Sequence, residues 1–136
     1  MPLTHVHLVR SIFAAWERGD YASAEWAHPE IEYVFADGPA PGSSTGLGGM
    51  AEAVGGALNA FSDMRQTADD FRELDEHRVL VLTTFAGHGK ASGVTVQSRG
   101  ANVLHIADGQ VTKLVHYWDR EHAFADLGLA PEGGAP

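Results

Sequence analysis

The sequence predicts an α+β fold, a cone-shaped α+β barrel in which a strongly curved antiparallel sheet wraps around three helices of the N-terminal half. Two observations carry this. Helical periodicity fills much of the first half, and from Arg65 onward the pattern changes to four long alternating segments broken by turn residues. Helices segregated from a meandering sheet are the α+β arrangement. A sheet curved around helices leaves a cavity whose mouth lies among the helices and strand ends, a shape that suits a small apolar ligand.

The first helix is read from "THVHLVRSIFAAWERGD", where Leu8, Ile12 and Trp16 recur every four residues beside Val9 and Phe13. Thr4 is a suitable N-cap and Gly19 a suitable residue just past the end. Asp20 caps a second, short helix through Trp26, and His28-Pro29 breaks it because the residue before proline avoids helical angles. In "EIEYVF" Ile31, Tyr33 and Phe35 alternate with Glu30, Glu32 and Val34, the period of a strand with one buried face. "ADGPAPGSSTG" reads as a loop, rich in Pro and Gly. Thr45 caps the next helix, "GLGGMAEAVGGALNAFSDM", in which Met50, Val54, Leu58 and Phe61 keep helical spacing although the glycines weaken it. Four strands come next, "RQTADDFREL", "RVLVLTTFAGHG", "VTVQSRGANVLHIA" and "QVTKLVHYWD", with Asp108-Gly109 the strongest turn signal. "REHAFADLGLAP" forms one or two helical turns. The chain is read as one domain over residues 1–130 with a flexible tail at 131–136.

The 136-residue length suits one domain, which buries roughly two thirds of the surface its unfolded chain exposes. A formal charge of −9 opposes binding to a phosphate backbone, so nucleic acid is not expected as a partner. The absence of Cys excludes disulfides and thiolate chemistry. With no signal peptide and no apolar run near the roughly 20 residues that span a bilayer, a cytoplasmic protein without membrane contact is expected.

Element order, length and the closing stretch "GKASGVTVQSRGANVLHIADGQVTKLVHYWDREHAFADLGL" resemble the nuclear-transport-factor-2-like superfamily, in particular its SnoaL-like branch of polyketide cyclases. The carriers are a small-residue hairpin, the Asp-Gly turn, and an aromatic-Asp strand end followed by a short helix and "LGL". The resemblance implies a homodimer formed through the exposed sheet face, where Leu80, Leu82 or Leu114 would need cover. It also implies an acid/base Asp at the end of the last strand and a His on the strand before. Asp119 matches the first and His105 is the candidate for the second. The chemistry implied is aldol cyclisation or isomerisation of a hydrophobic carbonyl compound, with no metal and no organic cofactor. Ketosteroid isomerases of the superfamily carry a base at the end of the first strand. Here that position falls on Tyr33 or a neighbour, with Asp37 the nearest carboxylate, a departure from that branch. An epoxide hydrolase set of Asp, Arg and Asp would be met in part by Arg99 and Asp119. The fold also hosts inert domains, so a non-catalytic ligand-binding or dimerisation domain is the alternative, with "GPAPGSSTGLGG" as a lid.

Whether His105 and Asp119 share a face depends on the hairpin between them. A two-residue turn sets His105 opposite Thr112 and away from Asp119. A three-residue turn over Ala107, Asp108 and Gly109 sets it opposite Val111 and gathers Gln97, Arg99, His105, Tyr117 and Asp119 on one face. The second register is adopted because it matches the family pairing. In it Asp119 is the principal acid/base, His105 its partner or oxyanion donor, and Arg99 with Tyr117 orients a polar substituent. Burial against Tyr117 and Trp118 would raise the Asp119 carboxyl pKa. Its plainer role is to cap "REHAFADL". His116 ranks below His105, His88 is expected in solvent, and His5 and His7 are two residues apart, so no helix face presents them jointly to a metal. Trp16, Tyr33, Phe35, Met50, Phe61 and Trp118 are expected as core below and cavity wall above, which favours a flat apolar or aromatic ligand.

Overall fold

The computed structural model describes residues 2–20, 25–38 and 41–129, the side chains of residues 2–4 and 57 excepted. Helix α1 runs Pro2–Glu17, so it begins before Thr4 rather than at it. Proline is tolerated in a first helical turn, where its missing N–H would have no partner. Gly19, at φ 86°, ends the turn after the helix in the left-handed region, as its position suggested. The short helix expected over 20–26 falls largely on residues 21–24, outside the described residues.

Strand β1 spans Ala27–Phe35 and therefore contains Pro29. Its pairing with the last strand is interrupted between Ala27 and Glu32, and its other partner reaches only Glu32 to Phe35. Pro29 thus sits where no ladder bond needs its missing N–H. The expected loop contains a further strand, β2 (Gly42–Thr45), antiparallel to β1. Helix α2 is Gly46–Ala60, and β3 (Phe61–Glu73) starts at once, before the Arg65 start read from sequence. Strands β4 (Arg78–Gly89), β5 (Thr95–Ala107) and β6 (Gln110–Tyr117) and helix α3 (Arg120–Leu127) complete the order.

The sheet order is β2-β1-β6-β5-β4-β3, with β1 parallel to β6 and all other neighbours antiparallel. This corrects the wholly antiparallel barrel: the sheet is curved but open. Among the described residues two helices precede the long strands, and α3, the expected closing turns, follows them on the opposite face.

Alternation along the strands sorts the core into two layers. Inside the curve Val79, Val81, Leu104, Ile106 and Leu114 pack with Val9, Ile12, Phe13 and Trp16 of α1. Outside it Leu80, Leu82, Ala101, Val103 and Val115 lie beneath Ala123 and Phe124 of α3. The expectation that Leu80, Leu82 and Leu114 face outward and require a second chain is corrected here. Leu114 belongs to the inner layer and the other two are covered by α3 within one chain.

Buried Arg120 fixes α3 to the sheet. It donates to the carbonyls of Thr83 (2.8 Å) and Gly100 (3.2 Å) and pairs with Asp69 at 3.0 Å. Gly100 allows the close approach of β6, because a Cβ there would strike the Tyr117 carbonyl oxygen. Phe124, 1 % exposed, closes the outer layer over Leu80 and Leu82. Phe124→Ala is expected to cost about 3–5 kcal/mol by urea unfolding, the range for truncating a buried aromatic ring; a loss below about 1 kcal/mol would show that α3 does not hold this face.

Candidate functional site

The concave side of the sheet encloses a cavity of about 100 Å³. Its wall draws one or two rings from each of several elements: Trp16 of α1, Tyr33 and Phe35 of β1, Phe61 of β3, Phe85 of β4, and Trp118 just after β6. Trp118 stands 5.2 Å from Phe85 and 6.0 Å from Phe61, centroid to centroid. No Asp, Glu, Lys or Arg is among the described residues lining this space.

Its polarity comes from uncharged groups. His116 Nε2 and Tyr33 Oη are 2.6 Å apart, and the His116 ring stacks on Phe35 at 5.1 Å. Burial holds the imidazole pKa down, to about 3, so the ring is neutral at physiological pH. Asn102 is paired with His116 across β5–β6 and also lines the cavity.

A second space, about 420 Å³, adjoins the first and shares Phe35, Phe61 and Trp118 with it. It lies between α2 and the β1–β2 hairpin, and Asp37, Glu52, Ser43 and Ser44 supply its polar lining. Asp37 is held on both oxygens: Oδ1 accepts the Trp118 backbone N–H at 2.5 Å, and Oδ2 meets His122 Nδ1 at 2.8 Å. The hydrogen bond to Asp37 raises the His122 pKa. Gly38, at φ 93°, lets the Trp118 indole lie against the backbone, where any Cβ would collide with the ring. Tyr117 donates to Asp126 at 3.0 Å, and burial, aided by that bond, pushes its phenol up to about 12.

A family model described as the SnoaL-like domain matches residues 9–114, well over half of the chain. The chain belongs to the SnoaL-like domain family. Solved structures support the fold. An NTF2-like protein of unknown function from Burkholderia pseudomallei aligns at TM-score 0.75 and 18% identity, covering 90% of this chain and 95% of its own. TerC, co-crystallized with polyporic acid, aligns at TM-score 0.70 and 21% identity, over 91% and 97%. A protein from Jannaschia sp. assigned to the SnoaL-like polyketide cyclases aligns at TM-score 0.72 and 16% identity, over 95% and 94%. No curated protein matches significantly.

In this SnoaL-like domain the residues picked out from sequence separate into two groups. Trp16, Tyr33, Phe35, Phe61, Tyr117 and Trp118 line the cavity, whereas Met50 is buried in the inner core beside it. His105, Arg99 and Asp119 do not line either space. The adopted register is corrected in its pairing but not in its face: Ala107 pairs with Gln110 around Asp108-Gly109, and a bulge between His105 and Ile106 sets His105 opposite Lys113 rather than Val111, which keeps it on the face of Arg99 and Tyr117. His105 therefore stands on the outer face near the turn. Tyr117, two residues before Asp119, pairs with Ala101, four residues and about 13 Å of strand away from His105. The two groups cannot serve one ligand atom. Asp119 is exposed, and its Oδ1 accepts the Glu121 N–H at 3.0 Å as the N-cap of α3. Arg99 is likewise exposed on β5.

Sequence reasoning missed Asn102 and ranked His116 low. A signal for Asn102 existed: Asn102, Leu104 and Ile106 alternate on one face, and an amide in an apolar stripe is worth notice.

Asp119→Ala is expected to cost about 1 kcal/mol of stability, the value of a cap, while ligand affinity stays unchanged by calorimetry; loss of affinity at unchanged stability would return Asp119 to the site. For His116, the folded pKa lies below the 6.5 of an ordinary imidazole, so its contribution is complete above pH 6.5 and is lost as pH falls toward 3. The stability difference between wild type and His116→Phe should shrink across that window, by at most about 1.4 kcal/mol per pH unit. A constant difference from pH 7 to 4 would mean that the ring titrates normally.

Proposed function

We propose that this SnoaL-like domain is a cofactor-independent enzyme that acts by acid/base chemistry on a hydrophobic carbonyl compound held in the cone. The observation that carries the reading is the 2.6 Å contact between His116 and Tyr33 inside a wall that is otherwise mainly aromatic and aliphatic. In the tautomer with a proton on Nε2, neutral His116 donates to Tyr33 Oη, and Tyr33 donates its own O–H to the ligand carbonyl oxygen. Hydrogen bonds aimed at an oxygen that gains charge are worth most in such a water-poor space.

The proton acceptor in this reading is Asp37, at the boundary where the cavity meets the outer cleft. Its carboxylate is positioned by Trp118 and His122, whereas Glu52 on α2 is exposed. The step moves a proton from the carbon beside the carbonyl to Asp37. The C–H electron pair becomes the enolate, whose oxygen is held by Tyr33. Return of the proton to another carbon isomerises the compound, whereas attack of the enolate carbon on a second carbonyl breaks its C=O π bond and closes a ring, the new alkoxide taking the proton back from Asp37.

A non-catalytic binding domain is the second reading, favoured by the lack of a carboxylate among the described residues lining the inner cavity. One experiment separates the two. Exchange of the α-carbon protons of 2-hydroxyacetophenone in deuterium oxide, followed by proton NMR, is expected to run faster with the wild type than in buffer. Tyr33→Phe should lower the enzymatic rate by about 10²-fold, the effect of losing one oxyanion donor. Asp37→Asn should remove it. Exchange no faster than buffer would establish the binding reading.

A further inference from the structure

Asn102 sits in the middle of the sheet with hydrogen-bonding capacity that the fold does not use. It is 1 % exposed, and its Oδ1 has no partner among the described residues. Its side chain lines the inner cavity. The next positions on the same face, Leu104 and Ile106, are both buried and apolar, so packing alone would be met by an aliphatic side chain here. Buried polar groups are almost always paired, and one that is not calls for a specific reason.

The surroundings supply the reason. Register places Asn102 directly across from His116, and His116 is bonded to Tyr33 on the next strand. Reading across β5, β6 and β1, the concave surface therefore offers an amide and an imidazole in one row and, diagonal to His116 where Tyr33 pairs with Leu114, a phenol. Tyr33 presents a donor, and Asn102 Oδ1 presents an acceptor that nothing nearby satisfies. Both residues line the same small cavity, and because Oδ1 is itself covered, one compact ligand meets both once the amide turns toward the open space.

We propose that Asn102 is a specificity-determining residue that reads a second polar group of the ligand, an N–H or O–H next to the carbonyl that Tyr33 holds. The ligand class is then a flat apolar carbonyl compound bearing a hydrogen-bond donor beside its carbonyl carbon, such as an amide or a hydroxy-ketone, and not a bare ketone. This rests on the carbonyl reading of Tyr33 given above. The discrimination is of the strong kind: a site with a buried acceptor rejects an isostere that lacks the donor, because the acceptor is then left unpaired.

Benzamide and acetophenone test it, since they share size and ring and differ in an amino group against a methyl. Their Kd values are measured by isothermal titration calorimetry on wild type, Asn102→Leu, Asn102→Ala and Tyr33→Phe, with circular dichroism to confirm folding. The expected result is that the preference for benzamide, written as the ratio of the acetophenone Kd to the benzamide Kd, falls at least tenfold in Asn102→Leu. Asn102→Ala should show the same fall and decides the matter if the Leu variant does not fold. Tyr33→Phe should weaken both probes by a similar factor and leave the ratio in place. A ratio unchanged by removal of the Asn102 amide overturns the proposal. Unchanged affinity of both probes in Tyr33→Phe overturns the carbonyl reading instead, and binding of neither probe to the wild type overturns both.

Discussion

The register of the β5–β6 hairpin is the constraint on which the remaining structure depends. Side chains alternate with a period of two, so a slip of one residue would exchange the inner and outer faces of both strands. The Asp108-Gly109 turn, with φ values of 52° and 76°, starts the pairing, and the bulge between His105 and Ile106 fixes the register of the rest of the hairpin. Beyond the bulge Asn102 meets His116 and Leu104 meets Leu114 on the concave side, while Val103 meets Val115 on the convex side. The cavity and the seat of α3 are both consequences. So is the fate of His105, which joins Arg78, Lys113 and Glu32 in a charged row across the outer face. Burial and then the neighbouring Lys113 and Arg78 lower its pKa, which favours the neutral imidazole in that row.

How much of this was legible in the sequence depends on how local each signal is. The α1 face, the four long strands, the Asp-Gly turn and the α3 helix are written in short-range spacing, and all are present. The cap role of Asp119 was legible for the same reason, since it needs only the residue two positions on. The parallel pairing of β1 with β6 joins residues about eighty positions apart, such as Tyr33 and Leu114, and no neighbouring residues announce it. Strand β2 is four residues of "GSST", whose polar, exposed composition is that of a loop. The end of α2 was misplaced because Ala60-Phe61 carries neither glycine nor proline to stop a helix.

The site divides along the same line. Five aromatic residues, Trp16, Tyr33, Phe35, Phe61 and Trp118, could be picked out because large rings in a cone-shaped fold must lie in the core or the cavity wall. The pair that gives the cavity its chemistry could not. Tyr33 and His116 are 83 positions apart, and their contact exists only once β1 has been laid parallel to β6. His105 drew attention through its place in a family pattern, yet the observed pairing sets it opposite Lys113 on the other face.

Electrostatics then separates the two connected spaces. An imidazole enclosed by Trp16, Tyr33 and Phe35 loses more by being charged than the cavity returns, so His116 stays neutral and the interior carries no net charge. Charge begins only beyond the ring of Phe35, Phe61 and Trp118, where Asp37 is fixed by the Trp118 N–H and by His122 of α3. That clasp also ties the end of β1 to α3, the helix that Asp119 caps and Arg120 anchors. Asp119 therefore bears on this clasp only through the start of α3. By starting α3 where it does, it brings His122 to Asp37, so the carboxylate that lines the outer cleft is the one held in place, not the one doing the holding.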